Sequence, residues 1–98
     1  MPAKLPRFRF GYPKSQWWSL RFRPAGEIAK WRRGTHGYCD SDARTLCISD
    51  VVTGKKLLET AIHEGLHAEL WALDEEAVAQ TAKRLAALVW HLGGKWLL

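Results

Sequence analysis

Near the start of the chain, two segments alternate strictly between basic and apolar residues. In Arg7–Phe10 and Trp18–Arg23 the apolar set is Phe8, Phe10, Leu20 and Phe22, and the basic set is Arg7, Arg9, Arg21 and Arg23. A period of two is the pattern of a strand with one face on a core and the other in water. Pro13 falls in the connection between them, and Pro24-Ala25-Gly26 makes the next turn. Glu27–Arg33 fits two patterns: Ile28 and Trp31 suit a turn of helix, while Ile28, Lys30 and Arg32 suit a strand. Gly34 and Gly37 bracket a stretch leading into Tyr38 and Cys39. Asp40-Ser41-Asp42-Ala43 is a turn, because Asp and Ser side chains bond their own backbone. Arg44–Ser49 then reads as a strand, with Leu46 and Ile48 on one face and Thr45 and Cys47 on the other, so residues 35–49 predict a hairpin.

The period changes after Asp50. From Thr53 to about Ala72, Leu58, Ile62, Leu66, Leu70 and Leu73 recur at spacings of three and four, which is the apolar stripe of a helix. A second helix is predicted from about Asp74 to His91, with Val78, Ala82, Leu85 and Val89 on one face and Gly93-Gly94 as its stop. Strands followed by two helices predict an α+β fold: a small, mostly antiparallel N-terminal sheet and then two helices, in a single domain over residues 1–98.

Composition narrows the class. The chain is 47% hydrophobic and 26% charged, which is globular and not disordered. A domain this small buries only about 60–65% of its unfolded surface, so a bound ion would add useful stability. No apolar run approaches the roughly 18 residues of a membrane span. Met1–Phe10 has no apolar core of a secretory signal, and two cysteines make no disulfide framework, so a soluble cytoplasmic protein is expected. Charge is uneven: residues 1–45 carry ten Lys/Arg against three acids, a net +7, and residues 46–98 five against seven, a net −2. The basic half either solubilises a strand face or attracts nucleic acid.

One stretch carries chemistry. His63-Glu64-Gly65-Leu66-His67 has the pattern H-E-x-x-H inside the first long helix. Residues four apart lie one above the other on a helix, so both imidazoles reach one ion. Zinc takes neutral imidazole nitrogen, and Glu64, one residue on, sits beside the ion as a general base for a water held there. Gly65 costs about 1 kcal/mol relative to alanine inside a helix, which close approach by another group would justify. A catalytic zinc needs a third protein ligand and an open position. Leu70 and Leu73 stand where a metzincin would have Gly and His, so the ligand must come from the next helix. Glu75 and Glu76 are the candidates. Glu75 shares the inward face with Val78 and Ala82, whereas Glu76 lines up with Ala79 and Lys83. A straight helix would put Glu75 about 12 Å along the axis from His67, so a tight reversal near Ala72–Asp74 is required, with Asp74 as N-cap.

Cys39-Asp40, Arg44–Ser49, Leu58–Ala68 and Asp74–Val78 together resemble the gluzincin zinc metallopeptidases in their smallest form, the minigluzincins and their phage-type stand-alone relatives, over roughly residues 37–90. The resemblance implies a minimal zincin-like domain that hydrolyses peptide bonds, an endopeptidase in style. It implies Zn2+ on His63, His67 and Glu75, and Glu64 as general base. It further implies a peptide or protein substrate laid along the strand before the active-site helix, which is the position of Arg44, Thr45, Leu46, Cys47 and Ile48. Some members are self-inhibited, and the tail Leu92–Leu98 is apolar and glycine-hinged enough to fill a cleft. The alternatives are thus a latent zinc protein of the same fold and a basic nucleic-acid-binding module.

Weaker signals complete the reading. Tyr38, His36, Tyr12 and His91 are candidates to stabilise an oxyanion. Cys39 and Cys47 flank the hairpin turn, where two thiols and two imidazoles would instead make a closed structural zinc site. Trp17 and Trp18 are adjacent and cannot both face the core of a strand, so one is a contact surface or a dimer interface; Trp71 and Trp90 fit helix packing. A monomer or weak dimer without membrane association is expected.

Overall fold

The computed structural model describes residues 7–11, 14–31 and 35–93. The elements run β1 (Phe8–Phe10), β2 (Gln16–Arg23), α1 (Ala25–Trp31), β3 (Gly37–Asp40), β4 (Thr45–Ser49), α2 (Gly54–Glu69) and α3 (Glu75–His91). The four strands form one mixed sheet in the order β1-β2-β4-β3. β1 pairs with β2 and β3 with β4, both antiparallel, while β2 and β4 run parallel from Ser19↔Thr45 to Arg23↔Ser49. Among the described residues no helix is long and apolar enough to cross a membrane.

Local chemistry accounts for the elements. The alternation of β2 sends Trp18, Leu20 and Phe22 toward α2, where they join Leu46, Ile48 and Ala68 in the core. Trp18 is 6% exposed and Trp17 50%, so the pair splits across the sheet as its adjacency requires. Of the two patterns in Glu27–Arg33, the helix forms: the carbonyl of Pro24 accepts from Glu27 and Ile28, and Ile28 is completely buried. This helix supplies part of the crossover that lets β2 and β4 run parallel. The 40–44 turn closes on Asp40, whose carboxylate accepts from the Ala43 N–H at 3.1 Å, and on Arg44 with φ of 49°.

The two long helices form an antiparallel pair. α2 ends where the Leu70 N–H bonds the Leu66 carbonyl, and the chain turns back through Trp71–Leu73. Asp74 caps α3 by accepting from the Ala77 N–H at 2.7 Å. At the far end Trp90 lies beside Gly54, which enters α2 with φ of 59°.

Which face of α2 turns inward differs from the sequence expectation. The buried residues are Leu57, Thr60, Glu64, Gly65 and Ala68. Leu58, Ile62 and Leu66 are half-buried, and Leu70 and Leu73 stand outside the helix and are exposed. The helix is rotated so that small and polar residues meet the sheet, because the backbones come close. A Cβ on Gly37 would fall 2.7 Å from the Cys47 carbonyl oxygen and 3.3 Å from Glu64 Cγ. A Cβ on Gly65 would fall 3.3 Å from the Phe10 ring, so the ring of β1 is what the helical glycine admits. On α3, Val78, Ala82 and Ala86 are buried, while Leu85, placed on the inward face by periodicity, is 38% exposed. Trp71 lies in the reversal and is 67% exposed, so it does not pack between helices.

Candidate metal centre

His63 and His67 lie one turn apart near the C-terminal end of α2, with ring centroids 5.0 Å apart. The reversal brings the first residue of α3 onto them. Glu75 Oε1 is 2.8 Å from His63 Nε2, and Glu75 Oε2 is 2.9 Å from His67 Nε2. The same carboxylate therefore bridges both imidazoles, one oxygen to each. One ligand atom from each residue lies within 4.8 Å of the other two. Tetrahedral zinc with bonds of about 2.0–2.1 Å needs its ligand atoms about 3.3 Å apart. The present spacing reaches that by small rotations of three side chains, so the donor set can hold a metal ion. Without an ion, each contact places a hydrogen between imidazole nitrogen and carboxylate oxygen; an ion would take that place, with a neutral imidazole carrying its hydrogen on Nδ1 instead.

Each position has a structural cause. The i, i+4 spacing stacks the imidazoles, and the Asp74 cap fixes the first turn of α3 and with it the carboxylate. The side chains are 23%, 26% and 43% exposed for His63, His67 and Glu75, which leaves the centre open to solvent on one side. Glu76 is exposed and stands apart from the cluster, so the choice between the two glutamates falls to Glu75.

Glu64 is 5% exposed and faces Gly37 on β3. With His63, His67 and Trp71 it forms one wall of a cleft of about 350 Å³; Thr35, Gly37, Tyr38, Cys39 and Ser41, on β3 and its flanks, form the other. Cys39 projects to this side. Burial pushes its thiol up to about 11, against a hydrogen bond from Ser41 that lowers it and with the charge of Glu64 adding to the rise.

The strand beside this cleft is not the one expected. The family resemblance implies that Arg44, Thr45, Leu46, Cys47 and Ile48 form a strand edge for substrate. β4 instead lies between β2 and β3 with both edges paired, and Thr45–Ile48 are buried. Arg44 is exposed in the turn, on the far side of the sheet from the imidazoles. The signal was present in Leu46-Cys47-Ile48, since a run without polar residues is the mark of a strand covered on both faces. The sheet edge at the cleft belongs to β3.

The oxyanion candidates do not gather at the cluster. Tyr38 is pushed up to about 12 by burial and by a side-chain hydrogen bond to Cys47, which draws its phenol to the opposite face of the sheet. His36 is exposed, His91 is at the other end of α3, and Tyr12 lies outside the described residues. Cys39 and Cys47 are free and point to opposite faces, because Cys47 pairs with Tyr38, one residue from Cys39. A two-thiol, two-imidazole site is thereby excluded. The tail residues 94–98 of the proposed plug also lie outside the described residues. No family model matches the chain, and neither a curated protein nor a solved structure matches it.

Proposed function

We propose that the protein is a zinc-dependent metallopeptidase of the gluzincin kind, with an extended peptide as substrate. The observation that carries this is the meeting of two imidazoles from one helix and a carboxylate from the next around a point where an ion fits. His63, His67 and Glu75 would hold the metal. When bound, zinc brings the pKa of water near 7 and polarises a carbonyl.

The other roles fall to the chain itself. Glu64 is buried at the cleft wall between the imidazoles and β3, where a carboxylate can take a proton from water and pass it to the leaving amine. A peptide laid along the edge of β3 finds backbone donors and acceptors in register, and its carbonyls then run past Glu64. Trp71, largely exposed at the end of the cleft, offers an apolar wall to a substrate side chain.

Metal analysis and peptidase assay of paired variants test the proposal. Glu64→Gln is expected to keep one zinc per chain and to lose hydrolysis of an unstructured protein substrate by a factor of about 10² or more. His63→Ala is expected to lose both. Full activity in Glu64→Gln, or a wild-type chain that takes up no metal when zinc is supplied, would overturn it.

A further inference from the structure

The sheet has a second face, turned away from α2. Alternation on β2 puts Trp17, Ser19, Arg21 and Arg23 there. The pairing register adds Arg9 beside Trp17, Thr45 beside Ser19, and Cys47 followed by Tyr38 beside Arg21. This face encloses a concavity of about 440 Å³. Among the described residues its lining brings together the guanidinium groups of Arg7, Arg21, Arg23 and Arg44, with Asp40 as the one carboxylate.

The floor of this face at Thr45 and Cys47 is buried, while Trp17, Arg21 and Arg44 around it are exposed; an exposed rim needs polar residues but gains nothing from gathering charges of one sign. Like charges on neighbouring positions repel, and the field they make attracts a polyanion. An aromatic ring stands within this field. Trp17 is 50% exposed, with the guanidinium carbons of Arg7 and Arg9 at 5.6 and 5.7 Å from its ring. The Arg23 Nε is buried without a hydrogen-bond partner among the described residues, and the side chain is held on this face by a hydrogen bond to Cys47. A cationic groove with an exposed aromatic ring is the physical composition of a single-strand binding surface, where phosphates track the charge and bases stack on the ring. A duplex keeps its bases inside its own stack and gives Trp17 nothing to hold. From Trp17 to Arg23 the strand extends about 20 Å at about 3.3 Å per residue, more than one nucleotide spans.

We propose that this outer face binds single-stranded nucleic acid, with a base on Trp17 and phosphates on Arg21, Arg23 and Arg44. A base stacking on Trp17 displaces a guanidinium of Arg7 or Arg9, which then turns to the adjoining phosphate. The site lies across the sheet from the imidazoles, and the proposal stands whether or not the protein is a peptidase.

The test is fluorescence anisotropy of a short labelled single strand of mixed sequence with the full chain, from low to physiological salt. The expected slope of log K against log salt is about −2 to −3, at about −0.7 per phosphate neutralised. Arg21→Gln and Arg44→Gln should each reduce its magnitude by about 0.7. Trp17→Ala should weaken strand binding by about 5- to 150-fold while leaving heparin binding unchanged. All three positions are exposed, and circular dichroism matching the wild type confirms the fold. The proposal is overturned if neither arginine variant changes the slope, or if Trp17→Ala binds the strand as the wild type does. Competition by duplex or heparin equal to that of the strand would reduce the face to a generic cation patch. Equal competition by a free mononucleotide would replace the strand by a nucleotide pocket.

Discussion

Single residues set the geometry of the cleft. Gly37 faces the Cys47 carbonyl and the Glu64 side chain so closely that an added methyl would sit 2.7 Å from backbone. Overpacking of this kind costs about 1–3 kcal/mol. Gly37→Ala is therefore expected to lower stability by that amount in urea unfolding and to displace Glu64, and under the proposed function it would cost more hydrolysis than metal uptake. Cys39 gives a pH dependence. Its thiol is raised from 9.0 to about 11 by burial in the folded chain. Between those values the folded state keeps a proton that the unfolded state gives up, so stability is complete below pH 9 and falls as pH rises toward 11. Thermal unfolding at alkaline pH should show this decline, and Cys39→Ala should make it shallower from pH 9, leaving the later decline that the raised Tyr38 phenol contributes above pH 10. At this scale the sequence was legible where chemistry is dense: the spacing of H-E-x-x-H named His63 and His67, two of the three residues that cluster. It was silent about Gly37, because a glycine required by a neighbouring strand's carbonyl looks like any loop glycine until the strands are paired.

At the scale of elements, the centre exists because two helices are broken apart and not fused. The reversal has no glycine or proline; its signal is Asp74, which accepts from the Ala77 N–H and opens α3 with Glu75 in the first turn. Asp74→Ala is expected to cost about 1 kcal/mol of stability. It should also weaken zinc affinity, because fraying of the first turn frees the ligand carboxylate. A competition titration with a chromophoric chelator measures that loss, and unchanged affinity would show that the cap does not position Glu75. Periodicity located both helices to within a few residues but misjudged the inward face of α2. A leucine stripe normally marks the buried face. Here the sheet approaches so closely that Thr60, Glu64 and Gly65 take that place and Leu58, Ile62 and Leu66 are left half-covered. Similarly, β4 was recognised as a strand, but its place in the sheet depends on the pairing with β2 through the α1 crossover. Pairing across a connection of some twenty residues is not written in local pattern.

The whole molecule is a thin sheet with different chemistry on its two sides. One side carries α2, α3, the imidazoles and both core clusters; the other carries the arginines. The lopsided charge along the chain, net +7 before residue 46 and net −2 after it, becomes a lopsided surface because the basic half supplies β1, β2 and the turn at Arg44. Among the described residues few large side chains are fully buried: Ile28, Ile48 and Val78 stand out. For a core this small, ligation that ties α2 to α3 would contribute directly to folding, since an ion that binds only the native state stabilises it by about 2.7 kcal/mol at a hundred times its Kd. The most direct test of the central claim is an anomalous-difference map at the zinc absorption edge, from crystals of protein supplied with zinc. The account predicts one strong peak per chain, about 2.0–2.2 Å from His63 Nε2, His67 Nε2 and a Glu75 carboxylate oxygen, with Glu64 alongside but not bonded. A map without that peak, or one in which Glu75 turns to solvent while the ion sits elsewhere, would contradict it.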